Sequence, residues 1–307
     1  MNVILKKYGF KPTLISSKYI PNANMNFLKK YVNLKLVNNY TRDLNESDYD
    51  YLIVNSDEVW AYNFNGLIEV GFLSFAKNWN ITKFVYAASL GFDHWTSSEE
   101  IINSAKILVK HFSGISVREQ NSVQIIEKYL GVKPTLVLDP TLLLNKTDYL
   151  NIIKEFKKDI DLTQDYLCSY ILDHSKIKKD YVLEASKELN YKIIKIEIMV
   201  ENFIEEFIFY YNICKSIITD SFHGTVFSII FNKPFIAFIN TKRGNERFFS
   251  LNQTFHLNNR FIYPKQFEKK ELDIMKKAPN INMTDFNNLK EKSVKYLEYH
   301  LGLVDSY

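Results

Sequence analysis

The sequence is poor in features that would place it in several large protein classes. Its 307 residues contain two cysteines, Cys168 and Cys214, with neither CxxC spacing nor a nearby histidine pair. That argues against a metal site, so none is expected, and excludes a disulfide framework by count. Both read as small core residues of a reducing compartment. Glycine is scarce at nine residues, while Asn, Lys, Ile, Tyr and Phe are plentiful, which reflects base composition better than function. No window approaches the roughly 18 consecutive apolar residues of a membrane-spanning helix, and Met1 to Lys7 is too short and too charged for a signal peptide. A cytoplasmic protein is expected, in which sequons such as Asn80-Ile81-Thr82 carry no meaning. The formal charge of +4 is diffuse, without a run of roughly five or six like charges, so no nucleic-acid partner is expected. GxGxxG, GxxxxGK[ST], GxSxG and HExxH are absent, which argues against dinucleotide, P-loop, α/β-hydrolase and zincin chemistry. There is no internal repeat at a solenoid period.

What is present is an ordinary globular composition, 46% apolar and 24% charged, long enough for two domains. Apolar segments at 13–16, 51–54, 84–87, 114–117 and 135–138 alternate with helical stretches, notably 97–111 and 119–130. The pattern repeats with strands at 166–171, 192–196, 216–219 and 235–239 and helices near 176–190, 203–212 and 224–231. Strands separated by helices imply parallel pairing and an α/β fold. The turn at Asp139-Pro140 and the polar stretch Asn145-Lys146-Thr147 set the boundary, giving residues 1–145 as an N-terminal domain on the acceptor side and 146–307 as a C-terminal domain. A closing helix is expected over 284–301.

The segment Thr219-Asp220-Ser221-Phe222-His223-Gly224-Thr225 places an imidazole between a strand end and a helix start. Asp220 and Ser221 are both good helix caps, so the helix would present N–H groups and the positive end of its dipole beside His223. Such a place suits a phosphate or carboxylate. Further on, Lys233-Pro234 stops the helix and Phe235 begins the next strand.

This passage resembles the polysaccharide pyruvyl transferase family, whose C-terminal half carries a motif of the Asp-Ser-Phe-His-Gly type. Other pieces match in family order: Ser56-Asp57-Glu58-Val59-Trp60, Tyr86-Ala87-Ala88-Ser89-Leu90-Gly91, Ser116-Val117-Arg118-Glu119 with Ser122, and Asp139-Pro140-Thr141-Leu142-Leu143. The resemblance implies two Rossmann-like domains facing a cleft, as in GT-B glycosyltransferases. It also implies transfer of pyruvate from phosphoenolpyruvate to a sugar of a polysaccharide or cell-wall precursor, as a ketal. Phosphoenolpyruvate is then a donor substrate, and no cofactor is expected. The acceptor is a saccharide, free or lipid-linked, and peripheral membrane association and homo-oligomerisation are left open. Two other readings stay open as well: a GT-B glycosyltransferase using a nucleotide sugar, and a catalytically silent binding protein.

Pyruvyl transfer needs fixed cations or N–H groups for a carboxylate and a phosphate, an acid for the methylene carbon and a base for the hydroxyls. The available cations are Arg118, Lys242, Arg243 and Arg247. The resemblance associates Arg118, His223 and Lys242 with the donor, and Ser221 and Gly224 belong to the same motif, with Gly224 allowing close backbone approach. His223 is the candidate acid or phosphate ligand, and Asp57 the candidate base or acceptor guide. Each has a plain alternative: Arg118-Glu119 as a surface pair at a helix start, His223 as a capping or core histidine, Lys242-Arg243 as a solvated turn, Asp57 as a helix cap. Asp139 reads as structural.

Departures accompany the matches. Leu5-Lys6-Lys7-Tyr8-Gly9-Phe10, which follows a strand, glycine turn and helix in the family, stands at the start here, so the N-terminal domain is expected to lack its first strand. Asn55 and Glu58 replace the usual Gly and Gln. Ser221 stands where some relatives have an arginine, which lowers the positive charge of the donor pocket.

Overall fold

The computed structural model describes residues 1–16, 25–61, 66–91, 93–95, 97–198, 200, 202–257 and 259–307. Contacts divide the chain into two compact units, Met1–Tyr19 with Leu34–Leu143 and Met283–Tyr307, and Ile20–Asn33 with Leu144–Asn282. The chain passes between the units at 19/20, 33/34, 143/144 and 282/283, so the crossing nearest the expected 145/146 boundary falls two residues earlier. The C-terminal segment differs more: it belongs to the first unit, not to the second as the sequence suggested.

In chain order the elements up to residue 136 are α1 (Asn2–Lys7), β1 (Thr13–Ser16), α2 (Met25–Tyr31), β2 (Asn33–Leu36), α3 (Tyr40–Asp43), β3 (Tyr51–Val54), β4 (Thr82–Ala88), α4 (Glu99–Leu108), β5 (Gly114–Val117), α5 (Gln120–Leu130) and β6 (Thr135–Leu136). Then come α6 (Lys146–Ile152), β7 (Tyr166–Tyr170), α7 (Lys176–Leu189), β8 (Lys192–Lys195), α8 (Phe203–Ile213), β9 (Ser216–Thr219), α9 (Phe222–Ile230), β10 (Phe235–Phe238), α10 (Glu246–Phe255), β11 (Phe261–Ile262), α11 (Leu272–Lys276) and α12 (Met283–His300). The short β2 and β11 and helices α2, α3, α6, α10 and α11 were not foreseen. In β2, β11 and α3, two to four residues with few apolar positions leave almost no periodicity to read. No described helix is long and apolar enough to cross a membrane.

In the first unit β3, β4, β5 and β6 form a parallel four-stranded sheet, while β1 and β2 form a separate pair. Apolar side chains of the strands, such as Leu52, Val54, Val85 and Val117, pack with Trp60, Phe72, Leu108 and Ile126 in one core. Helix α12 closes this unit for specific reasons. Tyr296 donates its hydroxyl to the Val85 carbonyl at 2.9 Å, Ser293 accepts from the Leu138 amide at 2.9 Å, and the His300 ring stacks on Phe84 at 5.3 Å.

The second unit is a five-stranded parallel sheet in the order β11-β10-β9-β7-β8. β7, β9 and β10 are buried along their whole length, as expected of parallel strands covered on both faces. The edge strand β8 reads Lys-Ile-Ile-Lys with exposed ends, a pattern that discourages further pairing. Strand order reverses between β7 and β9. In open α/β sheets, ligands bind outside the carboxyl ends of the strands at such a switch point.

Candidate functional site

At the switch point of the second unit, β9 ends at Thr219 and α9 begins at Phe222. Ser221 is the N-cap and accepts from the Gly224 amide at 3.2 Å. Asp220 is not a cap. Its buried carboxylate turns to β7's following loop, accepting from the amides of Leu172 at 2.6 Å and Asp173 at 3.1 Å and from Lys178 Nζ at 2.6 Å. One acidic side chain thus ties the two strands that flank the reversal. Gly224 is glycine for packing: a Cβ there would lie 2.3 Å from Thr219 Oγ1 and 3.0 Å from the Tyr211 hydroxyl. Its close approach is therefore to its own sheet and to α8, not to open space kept for a ligand. His223 is half-buried beside Phe222, their rings edge to face at 5.2 Å.

β10 lies next to β9 in parallel register, which brings Asn240 and the turn Thr241–Arg243 to the same end of the sheet. Asn240 Nδ2 donates to Asp173 at 2.5 Å, and Arg243 holds Asp173 through Nε at 2.8 Å and a second nitrogen at 3.3 Å. Arg243 first, then Asn240, lower the Asp173 carboxyl to about 2. Arg247 is buried, with its guanidinium 5.7 Å from the Phe222 ring and a hydrogen bond to the Arg243 carbonyl. Lys242 differs from its neighbours. It is exposed, and its ammonium makes no ion pair among the described residues.

In the first unit, the ends of β3, β4 and β5 carry Ser56, Asp57, Ser89 and Arg118. Arg118 is enclosed: its side chain is 1% exposed, and it donates to Glu119 at 3.0 Å, Asp139 at 2.7 Å, Ser56 at 3.1 Å and Asp57 at 3.3 Å. Burial opposes the charge, yet Glu119, Asp139 and Asp57 together hold its pKa above the ordinary guanidinium value. The pair with Glu119 is therefore internal, not on a surface. Asp57 is the member of the cluster that reaches solvent, with 63% of its side chain exposed. Its backbone is unusual, with φ of 98° in a region non-glycine residues seldom adopt. Its carbonyl accepts from Ser89 at 3.0 Å, and Ala87 on the neighbouring strand also has positive φ, 56°. Such strain persists only when surroundings over-determine it, and it concentrates at functional sites. The Glu58 carboxylate lies against Gly91, where a Cβ would come within 2.8 Å of it.

The sequence-predicted residues therefore fall into two groups. Asp57 and Arg118 share one cluster in the first unit, while Ser221, His223, Gly224, Lys242, Arg243 and Arg247 gather at one sheet end in the second. Sequence reasoning paired Arg118 with Glu119 but on a surface, and missed Asp139 as a partner of Arg118 and Asp173, Lys178 and Asn240 around Asp220. The Lys178–Asp220 pair spans 42 positions and has no local signal. Asn240 immediately before the basic turn was the one available hint.

Two parallel α/β units, each with a polar cluster at the carboxyl end of its strands, define a Rossmann-like protein of the GT-B type. Solved structures with this fold include UDP-GlcNAc 2-epimerase from Methanocaldococcus jannaschii, at a TM-score of 0.60 and 15% identity over 97% of this chain and 94% of that one. The S. aureus MnaA–UDP structure matches at a TM-score of 0.56 and 10% identity, over 96% and 90%. No curated protein matches the chain. The profile of the polysaccharide pyruvyl transferase family matches residues 2–242, and the chain belongs to that family.

Proposed function

We propose that the protein transfers pyruvate from phosphoenolpyruvate to two hydroxyls of one saccharide. The observation that carries this reading is the family's His-Gly motif seated at the switch point of the second unit, with an uncommitted lysine at the same sheet end. The α9 N-terminus and Lys242 receive the donor's phosphate and carboxylate. His223 delivers a proton to the methylene carbon, which becomes the methyl group, and the central carbon takes the first sugar oxygen. The second sugar oxygen then displaces phosphate, closing the ketal. Of the two hydroxyl protons, one balances the proton given to the methyl group and the other leaves with phosphate. Asp57, exposed and fixed by its strained backbone, is the base for the acceptor. Arg118 acts through Asp57 and Ser56 as a positioning residue, because its charge is already matched by carboxylates.

The fold is shared with structures that contain UDP, one of them of a UDP-GlcNAc 2-epimerase, so a nucleotide-sugar reading is tested in the same experiment. Thermal melts with phosphoenolpyruvate, UDP and UDP-GlcNAc separate the two. Saturation at 100 times Kd stabilises a protein by about 2.7 kcal/mol. Stabilisation by phosphoenolpyruvate alone is expected, and a shift with UDP or UDP-GlcNAc alone would overturn the donor assignment.

A further inference from the structure

Asp173 is fixed by its backbone before its side chain is counted. Its amide donates to Asp220 at 3.1 Å and its carbonyl accepts from Lys178 Nζ at 2.9 Å, so the buried Lys178–Asp220 pair holds the residue just after β7. The carboxylate is left to face the turn that follows β10. There Arg243 reaches it with two nitrogens, at 2.8 and 3.3 Å, the forked geometry in which a guanidinium grips a planar carboxylate. The turn does not depend on this grip, because the Asn240 side chain accepts from the Lys242 amide at 3.2 Å and the Asn240 carbonyl from the Arg243 amide at 3.3 Å. We propose, on the donor reading given above, that Asp173 occupies Arg243 in place of a substrate carboxylate, and that the carboxylate of phosphoenolpyruvate displaces it.

Burial decides which pair at this sheet end can open. Lys178 and Asp220 have 8% and 0% of their side chains exposed, and separating them would strand a buried charge, one of the costliest single losses for a fold. Arg243 and Asp173 keep 50% and 29% exposed, where water screens a pair and lets it part at little cost. Asp173 would not be left bare, since Asn240 Nδ2 stays on it at 2.5 Å. Arg243 first, then Asn240, hold its carboxyl at about 2, so at neutral pH it is a carboxylate and opposes any anion that approaches. Arg243 also stands close to the start of α9. Burial raises the Tyr170 hydroxyl, and Ser221 and Arg243 both act against that rise, which puts the α9 N-cap and Arg243 around one ring. A donor carrying two anionic groups can set its phosphate at the helix N-terminus and its carboxylate on the fork. Inorganic phosphate has no carboxylate to offer, so Asp173 favours the donor over phosphate alone.

The test is calorimetric binding of phosphoenolpyruvate and of inorganic phosphate to the full chain, as the native protein, Asp173→Asn, Arg243→Met and the double variant. Asparagine keeps an oxygen for Asn240 and both backbone bonds of residue 173, so the melting temperature should not move. Asp173→Asn is expected to bind phosphoenolpyruvate about fivefold more tightly, the scale of a half-exposed pair that no longer competes, and to bind phosphate within about twofold of the native protein. Arg243→Met is expected to weaken phosphoenolpyruvate about tenfold, and adding Asp173→Asn to it should change nothing. Unchanged or weaker binding of phosphoenolpyruvate by Asp173→Asn would overturn the exchange. So would a gain that persists without Arg243 or that is equal for phosphate, because the carboxylate would then act through its charge alone. Phosphate bound by both the native protein and Asp173→Asn, with phosphoenolpyruvate bound by neither, would sink the donor reading itself and the exchange with it.

Discussion

The two units handle charge at their strand ends in opposite ways. In the first, a guanidinium is enclosed by Glu119, Asp139 and Asp57, so the cluster has an excess of carboxylate and reaches solvent through Asp57. In the second, Asp220 and Asp173 are held by Lys178, Asn240 and Arg243, and Lys242, in the turn that follows β10, is left over. Basic residues therefore serve structure in both units, and the second has Lys242 besides, exposed and without an ion pair among the described residues. A count of arginines and lysines in motifs cannot make that distinction, because a cation's use depends on which carboxylates the fold brings to it.

The largest expected effect sharpens the second unit's role. His223→Gln should leave the fold intact and lower turnover by about 10² to 10⁴ fold, the range for a lost general acid; unchanged turnover in a folded variant removes His223 from the chemistry. The next breaks the first unit's cluster. Arg118→Met leaves buried carboxylates unpaired and should cost about 3–5 kcal/mol. Trp60, Trp79 and Trp95 all lie in the first unit, so tryptophan fluorescence in a denaturant titration reads that unit alone. A loss below about 1 kcal/mol would show that the guanidinium is dispensable there.

Acid provides a third test of the same unit. Burial lowers the His300 imidazole from 6.5 to about 4, so below pH 6.5 the unfolded chain binds a proton that the folded chain refuses. Stability is therefore complete above about pH 6.5 and falls as pH drops toward 4, by about 3 kcal/mol at most. His300→Phe should flatten that slope in the fluorescence-monitored melts, and an unchanged slope would assign acid sensitivity elsewhere. The smallest effect concerns the leftover lysine. Lys242→Met should raise the KM for phosphoenolpyruvate about tenfold, one charge-assisted contact of about 1.4 kcal/mol, with no change in melting temperature. A destabilised protein with unaltered KM would make Lys242 structural.

Much of the fold was legible because its strands are buried on both faces. β7, β9 and β10 appear in the sequence as apolar runs between helices, and the observed strands lie within one or two residues of those runs. β2 and β11 were not legible, having no such run. The closing helix was legible as a helix, but not its allegiance, which depends on Tyr296, Ser293 and His300 meeting the first unit's sheet. At the site, Ser221 was readable as a cap, since the hydroxyl needs only the amide three residues on. Asp220, equally suited by type, was drawn away by Lys178 and the two amides after β7.

The sequence by itself determined the alternation of strands and helices, the family motifs and their order, because these depend on neighbours within a few residues along the chain. Only the tertiary structure decided which charges cancel. Arg118 met Asp139 across 21 positions and Asp57 across 61, and Lys178 met Asp220 across 42. Parallel pairing placed those strand ends side by side, and electrostatics at short range in a buried setting did the rest.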